Sequence, residues 1–481
     1  MQTGNTPILW TAPEAALAAG GRVNADWQAT GISIDSRTAE SGDLFIALQG
    51  PHHDGHAYVG EALFKAVAAM IHRDVPELAA DAPVLRVRDT MAALRALGVA
   101  ARARTNAKIV AITGSVGKTG TKEALRFVLS RQAATHAGIG SLNNHWGVPL
   151  SLARMAKESV YGIFELGMNH PGEIAPLSEM ARPHVAVVTT VEAVHSEFFE
   201  TTEEIADAKA EIFTGLAPGG IAVLNRDNPF FDRLADAAEA NDVSAVIGFG
   251  ASEYADVRLL DMALEVDHSV VTAVVFGSAL TYRIGIPGRH WVMNSLGVLA
   301  AVHAVGADVS QAGAALADLT PPKGRGQIHR VVVPGGDMIV IDESYNASPV
   351  SVTAALAVLG RQRPARGGRR IAVLGDMLEL GPQSAARHKD LLTPILENAI
   401  DLVFTAGPAM ANLAEALPGR LRGAHAENAT ALAPLVVAAV RSGDVVTVKG
   451  SAGSRMTVIV EALLARAGTG AAPAPRAANG G

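Results

Sequence analysis

The chain has 481 residues, of which 49% are hydrophobic, 18% are charged and 4% are aromatic, with a formal net charge of −7 at pH 7. This length is too great for one ordinary hydrophobic core and indicates about three domains. The absence of cysteine excludes disulfides, cysteine-ligated metal clusters and a thiol nucleophile, and the acidic balance argues against general binding to nucleic-acid phosphates. Because we find no membrane-length apolar run and no signal-peptide pattern at the start, we expect a soluble, cytoplasmic protein.

The first 85 residues contain short alternating segments such as GISIDSR and GDLFIAL, with turn residues between them. This pattern is typical of strands in a small α+β unit, and we place a first domain at residues 1–85. The alanine- and leucine-rich stretch at residues 89–105 predicts a helix.

From Lys108 onwards, apolar strands alternate with helical stretches, beginning with KIVAIT, YGIFEL, HVAVVTT and GGIAVLN. This rhythm predicts a parallel sheet covered on both faces, in a central domain at residues 86–319. The segment LTPPKGRG then interrupts the pattern, and a second α/β series (DMIVID, RIAVLG, DLVFTA, DVVTVK) predicts a C-terminal domain at residues 320–468. Residues 469–481 have little to bury, so we expect a disordered tail.

The segment VAITGSVGKTGTKEAL, at residues 110–125, joins a predicted strand to a predicted helix. Its glycines allow backbone N–H groups to turn inward, and a helix N-terminus attracts anions. Lys118 can reach terminal phosphates and the Thr119 hydroxyl suits Mg²⁺. The eight-residue phosphate-loop pattern requires glycine where this chain has Ile112, so the match is to a shorter form, G-x-x-G-K-T. The segment predicts binding of ATP or GTP.

Three later residues could complete a metal site. Glu165 ends the predicted strand YGIFEL, where a carboxylate would lie beside the phosphate loop as a ligand for Mg²⁺. His195 follows HVAVVTTVEAV, and Lys209 lies in a segment with helical spacing. By chemistry alone, Glu165 could equally be an exposed strand-end acid and His195 a loop histidine, while a helical lysine is normally solvated.

Several segments together, in order along the chain, resemble the Mur ligase superfamily, the ATP-dependent amide-forming ligases of bacterial cell-wall synthesis. The segments are SIDSRTAESGDLFIALQGPHHDGH, TGSVGKT, SLNNHWGVPLSL, ELGMNHPGEI, AKAEIF, NRDNP, GRHWVMNSLGVLAA, IDESYNASPVS, VLGDMLELG and VKGSAGSRM. The resemblance implies an N-terminal uridine-nucleotide domain, a central phosphate-loop ATPase domain with a parallel sheet, and a Rossmann-like C-terminal ligase domain. It covers nearly the whole chain except the tail.

The resemblance also implies which residues bind ATP and its metal ions. Lys118 and Thr119 would hold the phosphates and one Mg²⁺, with Glu165 a ligand of that ion. His195 and Lys209 would serve a second Mg²⁺, and in this family the lysine at the Lys209 position is carbamylated by CO₂. The residues implied in ATP binding are Thr113, Gly114, Ser115, Val116, Gly117, Lys118, Thr119, Asn294, Arg325, Asp342, Tyr345 and Asn346.

Other implied contacts lie elsewhere in the chain. Asn294 would contact the adenine, although Trp291 follows His290 where the family often has asparagine. Arg325 would approach the γ-phosphate when the C-terminal domain closes. The implied catalytic residues are Lys118, Glu165, His195, Lys209 and Arg325. The implied substrate-binding residues are Ser36 and Arg37 at the uridine end, with Asn143 and Asn144.

The segment IDESYNASPVS resembles the motif of the superfamily branch that joins D-alanyl-D-alanine to UDP-N-acetylmuramoyl-tripeptide. The expected reaction is therefore an ADP-forming peptide ligation through an acyl phosphate, in a monomeric enzyme of peptidoglycan precursor synthesis. Two alternatives stay open. One is the sister ligase that adds the diamino acid, and the other is a phosphate-loop ATPase without ligase activity.

Overall fold

The computed structural model describes residues 7–51, 53–76, 78–193 and 197–468, which form four β-sheets. In the N-terminal part the strands are β1 Trp10–Thr11, β2 Arg22–Val23, β3 Gln28–Ala29, β4 Gly31–Ser33, β5 Asp43–Ile46, β6 Ala68–Ile71 and β7 Val84–Arg86. The helices are α1 Ala12–Ala19, α2 Val59–Ala62 and α3 Thr90–Ala103. Strands β1 and β3 pair antiparallel, and a second sheet has the order β2-β7-β6-β5-β4, in which only β2 runs antiparallel to its neighbour.

Helix α3 confirms the helix predicted at residues 89–105. It begins where the Asp89 side chain accepts a hydrogen bond from the Ala92 N–H (2.7 Å), a usual N-terminal cap. Its buried face, including Leu94 and Leu97, belongs to the same hydrophobic cluster as Leu44 of β5. This cluster also includes residues of the central part, so α3 packs on both sides of the proposed first boundary.

The central part contains a nine-stranded sheet. Its strands are β8 Lys108–Thr113, β9 Thr135–Ala137, β10 Tyr161–Glu165, β11 Val185–Val188, β12 Ile221–Asn225, β13 Ala245–Gly250, β14 Val257–Leu264, β15 Ser269–Val275 and β16 Ser278–Ile284. The helices are α4 Lys118–Leu129, α5 Gly147–Ala153, α6 Ile174–Ala181, α7 Thr202–Ala210, α8 Phe231–Glu239, α9 Arg289–Ala304 and α10 Val309–Ala315. The strand order is β16-β15-β14-β13-β12-β11-β8-β10-β9.

The predicted parallel sheet is present from β9 to β14, and two antiparallel strands, β15 and β16, extend it at one edge. Strands β8, β10 and β11 are almost wholly buried because helices cover both faces. Along β15, buried and partly buried residues alternate, which is the pattern of a strand covered on one face. The antiparallel strands therefore form an edge of the sheet that is covered on one face only.

The C-terminal part contains a six-stranded sheet with the order β17-β18-β22-β19-β20-β21, in which only β17 is antiparallel. Its strands are β17 Gln327–Val333, β18 Gly336–Glu343, β19 Arg370–Gly375, β20 Leu402–Ala406, β21 Arg422–Ala426 and β22 Val445–Lys449. The helices are α11 Pro349–Arg361, α12 Ser384–Lys389, α13 Leu392–Glu397, α14 Ala411–Ala416, α15 Ala429–Ala439 and α16 Thr457–Leu464. Helix α11 begins with a capping box between Ser348 and Ser351.

Short 3₁₀ helices complete the described elements, at Gly55–Tyr58, Glu211–Gly215, Leu316–Asp318, Gly381–Gln383, Gly419–Leu421, Ala452–Ser454 and Ala465–Gly468. The segment LTPPKGRG at residues 319–326 contains no helix or strand, as its prolines and glycines predict. No helix in the described ranges is long and apolar enough to cross a membrane. The predicted tail at 469–481 lies outside the described residues, and the exact domain boundaries stay predictions.

Candidate active site

The loop between β8 and α4 is shaped by two glycines with left-handed backbone angles, Gly114 (φ +142°) and Gly117 (φ +89°). A Cβ atom at Gly114 would lie 1.9 Å from Thr189 Oγ1, and one at Gly117 would lie 2.9 Å from Asn294 Oδ1. Side chains at these positions would therefore be strained and would collide with their neighbours. The loop opens at the start of α4, where backbone N–H groups are free to bind an anion. This cradle fits the phosphates of a nucleotide.

Lys118, the first residue of α4, turns back over the loop and donates a hydrogen bond from Nζ to the Gly114 carbonyl oxygen (2.5 Å). Burial lowers the pKa of Lys118, and Glu165 opposes that shift. Two residues of the C-terminal part also act on this pKa, since Arg325 lowers it and Glu379 raises it. Charged groups of the central and C-terminal parts therefore both influence Lys118, and the role of Arg325 at the γ-phosphate stays a prediction.

The predicted pair Thr119 and Glu165 is in direct contact. Thr119 Oγ1 donates a hydrogen bond to Glu165 Oε2 (2.8 Å), and Asn143 Nδ2 donates to Oε1 of the same carboxylate (2.8 Å). Ser141 Oγ lies 3.3 Å from Thr119 Oγ1. Both carboxylate oxygens are thus held at the end of β10, beside two hydroxyl groups. Hydroxyl and carboxylate oxygens are the donors that Mg²⁺ prefers, so this group fits a magnesium ion.

Lys209 lies near the C-terminal end of α7 and is only 1% exposed. Burial lowers the pKa of Lys209 well below its usual value, and the nearby charge of Lys118 adds to this effect. Within the described residues, no group of three or more His, Asp or Glu side chains forms a ready metal site. The predicted partner His195 lies outside the described residues.

The predicted residues of the C-terminal part surround the turn after β18. The Arg325 guanidinium lies 4.4 Å above the ring of Tyr345. Asp342 is buried, and its Oδ1 accepts hydrogen bonds from the backbone N–H (3.0 Å) and hydroxyl (2.6 Å) of Ser344. Asn346 Oδ1 accepts from the N–H of the next residue (2.9 Å). Asp342 and Asn346 thus each have a hydrogen-bond partner within this turn.

The remaining predicted residues lie apart from the phosphate loop or shape its surroundings. Ser36 and Arg37 follow β4, where Ser36 bonds to Glu61 (3.4 Å) and the 81%-exposed Arg37 pairs with Asp35 (2.6 Å). In the described residues neither has a hydrogen bond to the loop. Asn144 Oδ1 accepts the N–H of the residue three positions on (3.0 Å), which orders the start of α5.

Sequence reasoning missed three residues that shape the site. Thr189 donates a hydrogen bond to the Val116 carbonyl (2.6 Å) and so supports the phosphate loop. Its position directly after β11, a neighbour of β8 in the sheet, could have identified it. Ser141 lies inside the quoted segment SLNNHWGVPLSL. Lys122 is buried in α4, and helical spacing gives no signal for that burial because the covering atoms come from a distant loop.

Sequence profiles of three domains match the chain: the Mur ligase family catalytic domain at residues 28–105, the Mur ligase middle domain at 112–302, and the Mur ligase glutamate ligase domain at 324–452. The chain belongs to the Mur ligase family. The three ranges cover most of its length, so the family predicted from the ordered segments is confirmed.

Relatives that match over nearly their whole length indicate which members of the family the chain is similar to. A UDP-N-acetylmuramoyl-tripeptide–D-alanyl-D-alanine ligase of Rickettsia prowazekii is 32% identical to this Mur ligase over 94% of the chain and 99% of its own length. The crystal structure of MurF from Acinetobacter baumannii is 30% identical, with a TM-score of 0.81 over 95% of this chain and 99% of that one. MurF ligase from Thermotoga maritima, in complex with ADP, is 27% identical, with a TM-score of 0.73 over 91% and 97%. The predicted α/β fold with its Mur ligase domains is therefore confirmed.

Proposed function

We propose that this Mur ligase uses ATP to join D-alanyl-D-alanine to UDP-N-acetylmuramoyl-tripeptide, giving UDP-N-acetylmuramoyl-pentapeptide, ADP and phosphate for peptidoglycan synthesis. The observation that carries the proposal is the match to a ligase of that name over 99% of its length. The phosphate cradle between β8 and α4 supports it, because the reaction needs a bound nucleotide. ADP is bound in the Thermotoga maritima MurF ligase, which has the same overall fold.

Joining a carboxylate to an amine in water is unfavourable, so the carboxylate must first be activated. The terminal carboxylate of the tripeptide attacks the γ-phosphorus of ATP, and ADP leaves. The amine of D-alanyl-D-alanine then attacks the carbonyl carbon of the acyl phosphate, loses a proton, and phosphate leaves from the tetrahedral intermediate. The protein positions the reactants and offsets negative charge. Lys118 does this by exchanging its bond to the Gly114 carbonyl for bonds to phosphoryl oxygens.

Thr119 and Glu165 are the residues proposed to hold one Mg²⁺, since their oxygens already lie together at the end of β10. His195 and Lys209 are proposed to serve a second ion. Bound Mg²⁺ would offset the repulsion between carboxylate and phosphoryl oxygens. Lys209 can join such a site only as an anion: its neutral amine forms an N–C bond to CO₂ and releases one proton, leaving a carbamate. The low pKa of its buried amine supports this role.

The other proposed roles follow the positions of the side chains. Arg325 is proposed to bind the γ-phosphate, and its effect on the pKa of Lys118 supports that role. Asn294 is proposed for adenine, and it lies against the loop at Gly117. Asp342, Tyr345 and Asn346 are proposed for the ATP and acceptor side, Ser36 and Arg37 for the uridine end, and Asn143 and Asn144 for the substrate.

The test is an assay with ATP, Mg²⁺ and UDP-N-acetylmuramoyl-tripeptide, containing either meso-diaminopimelate or lysine, with and without D-alanyl-D-alanine. Phosphate release and the mass of the uridine product are followed together. We expect phosphate release that depends on the dipeptide, together with a pentapeptide product. Hydrolysis that is independent of the acceptor would favour the phosphate-loop ATPase instead, and no product with either tripeptide would contradict the proposal.

The position of the only Asp-Asn-Pro sequence in the chain argues against the sister ligase that adds the diamino acid. That branch carries Asp-Asn-Pro-Arg in its C-terminal domain, whereas here Asp227 to Pro229 precede Phe230 in the central part. The Asp227 carboxylate accepts backbone N–H bonds from Ala251 (2.8 Å) and Ser252 (2.8 Å). These contacts give Asp227 a structural role. A monomeric state and a cytoplasmic location stay predictions.

A further inference from the structure

We propose that Lys122 is a positioning residue that fixes the orientation of the Glu165 carboxylate and thereby sets the affinity of the site for Mg²⁺. This inference rests on the proposed function, because it assigns the metal to Thr119 and Glu165. Lys122 itself lies outside the group of side chains expected to contact ATP or metal.

The ammonium of Lys122 has a complete set of partners. It is 1% exposed, and its three N–H donors face three acceptors: the carbonyl oxygens of Gly138 (2.6 Å) and Gly140, and Glu123 Oε1 (3.0 Å). A buried charge is costly unless it is paired and hydrogen-bonded, so this arrangement must be maintained for the fold to tolerate the lysine. The two carbonyls belong to the loop that follows β9.

That loop continues directly into the metal site. Ser141, one residue after the second carbonyl, lies 3.3 Å from Thr119 Oγ1. The side-chain amide of Asn143 donates a hydrogen bond to Glu165 Oε1 (2.8 Å). The backbone carbonyl of Asn143 accepts a hydrogen bond from the Gly167 N–H (2.8 Å). The orientation of the Glu165 carboxylate therefore depends on a loop whose first residues are held by Lys122.

Helix α4 contacts both the Glu165 carboxylate and the loop that carries Asn143, and helix geometry explains how. Thr119 and Lys122 are three residues apart in α4, so they lie on the same face of the helix. Thr119 contacts the carboxylate from that face, and Lys122 contacts the loop that carries Asn143. Lys122, Gly138, Gly140 and Glu165 also lie around one space that is too small to admit a water molecule. A shift of the loop would therefore be transmitted to the carboxylate.

The test compares Lys122→Met, which keeps the length of the stem and removes the donors, with the wild type. The matched control is Lys157→Met, at a lysine whose side chain is 61% exposed. Calorimetry measures how ADP binding depends on Mg²⁺, and hydrogen–deuterium exchange reports on residues 138–147 in the metal-free proteins. We expect Mg²⁺ affinity about tenfold weaker, as is usual when a partner of a metal ligand is lost, and faster exchange in the loop.

Mg²⁺ affinity equal to that of the wild type in folded Lys122→Met would overturn the proposal. Asn143→Ala provides a check on the route: if Lys122 acts through Asn143, the double variant should bind Mg²⁺ no more weakly than Asn143→Ala alone. Additive losses would contradict that route. If Lys122→Met does not fold, Lys122→Gln, which also removes the ammonium, takes its place, and the same criterion applies. Because binding of ADP and Mg²⁺ is measured directly, a wild type without ligase activity would contradict the proposed function alone.

Discussion

Lys209 is chemically unusual for a helical lysine, because its amine is buried beside a second lysine rather than solvated. We predict that Lys209→Ala abolishes ligation, since the variant cannot form the anionic carbamate proposed to hold the second metal ion. Short acids such as formate should partly restore activity, because a small carboxylate can occupy the space and supply the missing oxygens. The measurement is dipeptide-dependent phosphate release with and without formate.

The control for this prediction is the same formate series on the wild type, which should not be activated. Retention of full activity by Lys209→Ala would contradict the carbamate role. Loss of activity without any rescue, accompanied by a large fall in the melting temperature, would indicate that Lys209 is required for packing instead.

Gly117 gives a second prediction at the residue scale. Alanine there must adopt φ +89° with its Cβ 2.9 Å from Asn294 Oδ1, so the loop must distort. Strain of this kind costs about 1–3 kcal/mol, which corresponds to roughly a tenfold loss of nucleotide affinity or more. Calorimetric titration with ADP measures it. Gly219→Ala is the matched control, because Gly219 has φ +77° but open space around it. Equal ADP affinity in the two variants would show that the Gly117 contact is unimportant.

At the scale of elements, the sequence predicted the strands that carry the site. The ends of β8 and β10 were recognisable because apolar runs stop at Thr113 and Glu165, and strand ends meet at one edge of a parallel sheet. The antiparallel strands β15 and β16 were not predicted, because which edge of a sheet loses its helices is decided by the whole fold. Lys122 was missed for a related reason, since two of its three acceptors are backbone carbonyls, which carry no sequence signal.

Glu211 joins two elements near the site, and its removal gives a prediction at this scale. It follows α7, the helix of Lys209, and its carboxylate accepts N–H bonds at the start of α6 from Gly172 (2.6 Å), Ile174 (3.0 Å) and Ala175 (3.2 Å). Glu211→Ala leaves these donors without that partner, which should lower the free energy of unfolding by about 2 kcal/mol. Urea denaturation measures the change.

The control for this variant is Glu239→Ala, at an exposed glutamate near the end of α8. Its urea midpoint should match that of the wild type. If Glu211→Ala behaved in the same way, the packing of the 3₁₀ helix Glu211–Gly215 against α6 would depend on apolar contacts rather than on the cap.

At the scale of the whole molecule, two partly buried histidines make stability depend on pH. Burial lowers the pKa of His136 to about 4; the bond from its Nε2 to the Ser151 carbonyl (2.7 Å) opposes this shift, and the charge of Arg154 adds to it. Burial likewise lowers the pKa of His184 to about 4, and its Nδ1 accepts the Ile109 N–H (2.9 Å), which requires a neutral ring. Both residues are therefore neutral in the folded state at pH 5 to 6.

In the unfolded chain these histidines titrate near pH 6.5, so between pH 6.5 and 4 the unfolded state binds more protons than the folded state. Stability should therefore fall as the pH falls through this window, and the histidine contribution should level off below pH 4. The loss should be on the order of 2 kcal/mol for His136, and smaller for the more exposed His184. Urea midpoints at pH 7, 5.5 and 4.5 measure it. His136→Gln, which cannot ionise, should lose less stability over this range than the wild type, whereas the exposed His53→Gln should follow the wild type. Parallel pH profiles for His136→Gln and the wild type would mean that other groups control the acid sensitivity of the fold.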